Sequence, residues 1–164
     1  MSGARLVEAT DAHFAWMLGE AAAPDGLSLP PGGIDAPWVL RWTRRNLARL
    51  GQPGSWLIVA DGEVVGLCGH KTGPDAQGAV EIGYGVAAER RRQGHATRAV
   101  ALAVQSARCD GRIRRLVAET ALRNLPSQRV LEANGFVRTG TSVDDDEGDM
   151  IVWGLETPCR EGGG

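Results

Sequence analysis

Apolar and polar positions recur with two different periods along this chain, and the changes of period mark its elements. Arg5 to Ala9 reads as a short strand, after which Thr10 or Asp11 caps a helix carrying His13, Phe14, Trp16, Met17 and Leu18. From Ala23 to Ala36 the sequence APDGLSLPPGGIDA holds three prolines and three glycines, which predicts a long loop with no regular element. A second helix runs from Pro37 to about Leu50, with Asp35 as its cap and Gly51 as its stop. Its Trp38 and Trp42 are one turn apart and are expected in the core, with Leu47 and Leu50 extending the same apolar surface.

A hairpin follows. Trp56 to Ala60 and Glu63 to Lys71 are its strands, and Asp61-Gly62 is a two-residue turn signal. After a polar loop from Thr72 to Gly78, Ala79 to Ala87 reads as a strand. Gly83 and Gly85 are costly in its interior and mark a bulge or a close approach to the backbone. Ala96, Ala99, Val100, Ala103, Val104 and Ala107 then recur every three or four residues, one apolar stripe of a helix beginning near Gly94. Arg114 to Thr120 alternates as a strand. Asn124-Leu125-Pro126-Ser127 opens a further helix, with Val130 and Leu131 apolar and Asn134-Gly135 as its stop. Phe136 to Ser142 and Met150 to Leu155 pair as a last hairpin, and Thr157 to Gly164 reads as a flexible tail.

Length and charge narrow the class. A chain of 164 residues suits one domain with a sizeable core, placed here at residues 1–156 with a tail at 157–164. A net charge of −2 gives no general attraction to nucleic acid or to an anionic membrane. Cys68, Cys109 and Cys159 are widely spaced, and His13, His70 and His95 lack ligand spacing, so neither a disulfide framework nor a metal site is expected. The opening residues carry no signal pattern, and no apolar run approaches the ~18 residues of a membrane span. A soluble, cytoplasmic protein is the expectation.

The candidate chemistry lies between Glu81 and Ala107, where an apolar strand, a basic glycine-containing turn and a helix N-terminus follow in direct succession. The first turn of a helix has unpaired backbone N–H groups and about half a positive charge from the macrodipole, which suits a phosphate. Gly94 and Ala96 would let an oxygen approach the backbone, and Arg91 and Arg92 add fixed positive charge. A strand-turn-helix corner with a solvated arginine cluster is the plainer alternative.

The run R-x-x-G-x-A after this strand resembles the acetyl-CoA pyrophosphate loop of the GNAT superfamily of N-acetyltransferases. NLPSQRVLEANGF, Asn124 to Phe136, is similar to that superfamily's second signature, and the E-I-G-Y strand with N-x-x-S most resembles the ribosomal-protein-alanine N-acetyltransferase branch. The resemblance implies a single-domain α/β (α+β) GNAT fold, with a mixed, mostly antiparallel central sheet flanked by helices. It implies acetyl-CoA as co-substrate. The pyrophosphate would be held by Arg91, Arg92 and the backbone of Gln93, Gly94, His95, Ala96 and Thr97; the strand around Tyr84 and Val86 would pair with pantetheine; Asn124 and Ser127 would contact the pantetheine and thiol end.

Acetyl transfer needs a neutral amine, because an ammonium has no lone pair with which to attack a thioester. Neutralising an α-amine of pKa ~8 at pH 7 costs about 1–1.5 kcal/mol, and a lysine-like amine costs roughly 4–5 kcal/mol. A base is therefore useful, and Glu81 on the strand is the candidate, a solvated strand carboxylate being the alternative. Many GNAT enzymes place a Tyr at the position occupied here by Leu131. That departure leaves Ser127 as the candidate donor to the leaving sulfur. The acidic run Asp144 to Asp149 is expected to be a solvated turn. The acceptor is either a protein N-terminal α-amine or an amine-bearing small molecule, with a homodimer left open. A catalytically silent acyl-CoA-binding sensor is the competing reading.

Overall fold

The computed structural model describes residues 3–51 and 54–158. They fall into two compact units, Met1–Gly69 with Tyr84–Ala99 and His70–Gly83 with Val100–Gly164, and the chain passes between the two inside two strands and one helix.

In the first unit β1 (Arg5–Glu8), β2 (Ser55–Ala60) and β3 (Glu63–His70) form an antiparallel ladder. The β2–β3 turn is the one expected: Asp61 and Gly62 have φ of 52° and 76°, the paired left-handed geometry whose twist matches a hairpin. The C-terminal half of β4 (Ala79–Val86) lies beside β3, and the N–H of Ala87 donates to the carbonyl of Val65 at 2.8 Å. Here the backbones crowd. A Cβ on Gly66 would lie 2.1 Å from the carbonyl oxygen of Gly85, so only glycine fits.

Helix α1 (Asp11–Met17) starts with a reciprocal cap: Thr10 accepts from the His13 N–H, and the Thr10 N–H donates to His13 Nδ1 at 3.0 Å. Helix α2 (Pro37–Leu50) has the expected bounds, but Asp35 does not cap it. The cap position is Ala36, without a side-chain bond, and Asp35 Oδ1 accepts the Ala36 N–H at 2.8 Å. The tryptophans also depart from expectation. Leu40, Asn46 and Leu47 make the buried side of α2, and Trp38 and Trp42 lie on the other side, 71% and 43% exposed. Arg44 joins the two helices through Asp11, at 2.6 and 2.9 Å, and Glu20, at 2.9 Å. The loop before α2 is not wholly irregular: Pro24–Gly26 is a 3-10 turn, and Ser28 bridges to Glu63. Phe14, Leu27, Ile34, Leu40, Leu57 and Val64 belong to the core of this unit.

In the second unit the N-terminal half of β4 pairs in parallel with β5 (Arg115–Ala121), β5 pairs antiparallel with β7 (Gly148–Glu156), and β7 with β6 (Val137–Asp144). The seven strands thus run in the order β1-β2-β3-β4-β5-β7-β6, a mixed sheet, as expected. Helix α3 (His95–Arg108) buries Ala99 in the first unit and Val100, Ala103, Val104 and Ala107 in the second, the stripe read from the sequence. Helix α4 (Leu125–Ala133) buries Gln128 and Leu131. Trp153, 1% exposed, donates its Nε1–H to Thr120 Oγ1 at 2.9 Å, and the Arg138 guanidinium stacks 5.2 Å from its ring. Thr157, expected to open a tail, is buried and donates its N–H to Arg114 at 2.8 Å. The rest of that tail beyond Pro158 lies outside the described residues.

Candidate active site

The loop between β4 and α3 belongs to the first unit, together with Tyr84 and Val86. Ala88–Arg90 forms a 3-10 turn that the sequence did not signal, fastened by Arg90 to Glu63 at 2.6 and 3.2 Å. Arg91 Nε then donates to the carbonyl of Val86 at 3.2 Å, folding its side chain back along the strand end. Arg92 and Gly94 take left-handed φ of 65° and 79°, and the Arg98 N–H bonds to Gly94 at 3.0 Å as α3 begins. Left-handed residues alternating with ordinary ones before a helix turn successive N–H groups toward one concavity, a nest suited to an anion. Arg91 to Gly94 are exposed, so a diphosphate can reach this backbone. Around it stand Gln93 and His95, 3.2 Å apart between Oε1 and Nε2, with half-buried Ala96 and Thr97 in the first turn. The loop therefore fits a pyrophosphate.

Glu81, Asn124 and Ser127 belong to the second unit. Glu81 is half-buried, and its side chain is 26% exposed. Its backbone is pinned from both directions: the Thr72 hydroxyl accepts its N–H at 3.1 Å, and its carbonyl accepts the Lys71 N–H at 2.7 Å. Lys71 Nζ lies 3.6 Å from Glu81 Oε2. The Lys71 stem runs over Gly83, where an added Cβ would lie 3.1 Å from Lys71 Cδ. Side chains two apart share a strand face, so the glycine at 83 leaves the room that Lys71 takes beside Glu81. Neither this lysine nor its pairing was anticipated.

Asn124 is the cap of α4. Its Oδ1 accepts the Ser127 N–H at 3.2 Å, which satisfies one of the orphan donors of the first turn. Ser127 is half-buried. Leu131 is fully buried at 0% exposure, a core residue of α4. The acidic turn is solvent-exposed, and Asp144 organises it by accepting the N–H groups of Asp146 and Glu147, each at 2.9 Å. Those two bonds hold the Asp144 carboxyl below the usual carboxylate range. Among the described residues no group of three or more His, Cys, Asp or Glu side chains is arranged to hold a metal ion, and no helix is long and apolar enough to cross a membrane.

Residues 5–137, a span that includes this strand, loop and helix, match the Acetyltransferase (GNAT) domain family. The chain belongs to the GNAT acetyltransferase family. It is 33% identical over 92 residues to the uncharacterized N-acetyltransferase YjdG of Bacillus subtilis (strain 168), covering 55% of this GNAT chain and 55% of that relative. The match thus spans about half the length of that curated relative. Among solved structures, RimL, a ribosomal L7/L12 alpha-N-protein acetyltransferase in complex with coenzyme A, superposes with a TM-score of 0.74 at 20% identity, over 98% of this chain and 97% of that one. An aminoglycoside acetyltransferase AAC(6')-Ib in complex with coenzyme A gives 0.68 at 18% identity, over 94% and 95%. A GNAT-family acetyltransferase from Bacillus anthracis gives 0.68 at 15%, over 95% and 96%. At these identities the structural likeness establishes the fold.

Proposed function

We propose that this GNAT-family chain is an N-acetyltransferase that uses acetyl-CoA to acetylate a primary amine by direct attack. The observation that carries the reading is the left-handed pair Arg92 and Gly94 at the start of α3, an anion nest within a chain of GNAT family. Acetyl-CoA supplies an activated acetyl group as a thioester. The N–H groups of Gln93 to Thr97 hold the pyrophosphate, with Arg91 and Arg92 adding charge, and the main chain around Tyr84 and Val86 pairs with the pantetheine arm. Asn124 and Ser127 bind near the thiol end, and Ser127 orients the sulfur.

Glu81 takes the proton that the acceptor must lose. Its pinned backbone and its half-buried side chain beside Lys71 support this role by fixing where the carboxylate stands. The acceptor is a protein N-terminal α-amine or a small-molecule amine, in keeping with the ribosomal-protein and aminoglycoside acetyltransferases of the same fold. The GNAT domain is assigned to residues 1–156. A second reading, a catalytically silent acyl-CoA sensor, draws on the buried Leu131 standing where many relatives place a Tyr.

Titration calorimetry with coenzyme A tests the loop. Gly94→Asp puts a carboxylate into the nest at a position where an added Cβ meets no atom within 4 Å but the φ of 79° strains any side chain, so its denaturation midpoint is measured beside its binding to separate charge from backbone strain. Binding by the unaltered chain and its loss in the variant are expected; equal affinity in both contradicts the assignment.

A further inference from the structure

Lys71 is the chain's only lysine; every other basic side chain is a histidine or an arginine. An arginine holds its charge and does not take an acyl group, whereas a lysine amine that has lost its proton is a nucleophile of the kind acetyl transfer consumes. Lys71 is therefore the one side-chain amine able to compete with an acceptor.

Its placement favours that role. The Lys71 N–H donates to the Glu81 carbonyl at 2.7 Å, which fixes the two residues side by side. Nζ stands 3.6 Å from Glu81 Oε2, and the lysine side chain is 43% exposed, so its amine is open to a second molecule. The stem crosses the bare backbone of Gly83, with Cδ 3.1 Å and Cγ 3.3 Å from where a Cβ would stand. Gly83 precedes Tyr84, where the proposed pantetheine contacts on β4 begin. Amine and proposed base thus lie against the strand proposed to carry the thioester arm. Elsewhere Arg44, Arg90, Arg112 and Arg123 supply the cation of an ion pair. Beside Glu81 the cation is instead a group that can give up its proton.

We infer that Lys71 is a self-acetylation site: in the absence of an acceptor its Nζ takes the acetyl group of an acetyl thioester, and the chain thereby limits its own turnover. The inference rests on the acetyltransferase reading and adds an internal acceptor to it. Glu81 takes one proton from the ammonium and passes it to water. The amine then attacks: an N–C bond forms, the C–S bond breaks, and the second proton lost by the nitrogen ends on the departing thiolate. Nucleophile and base belong to one chain, so no bimolecular encounter with an acceptor is needed. Acetylated Lys71 carries no charge. Glu81 then loses the contact that orients it, and turnover falls.

The test incubates the full chain with acetyl-CoA and no amine, and maps its peptides by mass. One acetyl group on Lys71 is expected, at a rate independent of chain concentration and at least tenfold slower in Glu81→Gln and in urea-unfolded chain. S-acetyl-N-acetylcysteamine, a thioester without a pyrophosphate, should acetylate Lys71 with the same dependence on Glu81. Lys71→Gln, which copies the lost charge, should lower amine-dependent thiol release severalfold more than Lys71→Arg, which keeps it. Lys71 left unmodified by both thioesters, or modified equally fast in Glu81→Gln or in urea, overturns the site. Failure to bind coenzyme A would overturn the acetyltransferase reading instead, while the short thioester still decides whether this amine and base react as a pair.

Discussion

Lys71 Nζ lies 3.6 Å from Glu81 Oε2, so the chain's only lysine stands against the carboxylate proposed as the base. The contact joins the end of the β2–β3 hairpin to the start of β4, and Gly83 makes room for it. An ion pair with half-exposed partners contributes little to stability, roughly 0–1 kcal/mol. Its consequence is placement: the contact orients the carboxylate.

Glu81→Gln should therefore lower turnover more at low pH than at high pH. An α-amine of pKa ~8 is about 3% neutral at pH 6.5 and about 90% neutral at pH 9, so the base matters chiefly in the acid range. A loss of roughly 100-fold at pH 6.5, shrinking severalfold by pH 9, is expected from initial rates of thiol release. A loss of equal size at both values would remove Glu81 as the base.

Two glycine substitutions separate packing from chemistry. Gly66→Ala drives a Cβ to 2.1 Å from the Gly85 carbonyl oxygen, where backbone must move, and a loss of about 3 kcal/mol or more is expected by chemical denaturation. Gly83→Ala meets only the flexible Lys71 stem at 3.1 and 3.3 Å. It should cost no more than about 1 kcal/mol but displace Lys71 from Glu81, lowering turnover. Equal stability of the two variants would contradict the crowding between β3 and β4.

Thiol reactivity should be divided sharply. Burial pushes the Cys68 thiol up to about 12, leaving almost no thiolate at pH 8, whereas Cys109 is exposed. Alkylation of the native protein followed by peptide mapping should find Cys109 modified and Cys68 modified only after unfolding.

His70 predicts a pH dependence of stability. Burial lowers its pKa below the usual 6.5, with a smaller opposing pull from Asp110 and a lesser push from Arg112. The unfolded chain then binds the proton more readily, so this contribution is complete above about pH 6.5 and is lost as the pH falls toward and through the lowered value. Denaturation midpoints should decline from pH 7 to pH 5, and His70→Phe should flatten that decline.

What the sequence revealed was mostly local chemistry. The Asp61-Gly62 turn, the opening of α4 at Asn124 to Ser127, the start of α3 near Gly94 and its alanine stripe all depend on residues within one turn of each other, and each lies where the pattern placed it. Features set by distant partners were not visible. Trp38 and Trp42 share helical spacing with a core stripe, yet only the packing of Leu40 and Leu47 decides which side of α2 faces inward. Asp35 stands where a cap would, but the helix begins at Pro37 after Ala36, which leaves its carboxylate to face Gly85. His13 looked like an isolated histidine and is the partner of Thr10 in a reciprocal cap.

Turnover of acetyl-CoA in the presence of an amine is what the proposed site requires. The most direct measurement is release of free thiol from acetyl-CoA by the full chain, with and without a panel of primary amines and short peptides. Amine-dependent release that saturates with acceptor is the predicted result, accompanied by a mass increase of one acetyl group on the acceptor. Coenzyme A binding with no amine-dependent release across the panel would contradict the account and leave the silent sensor in its place.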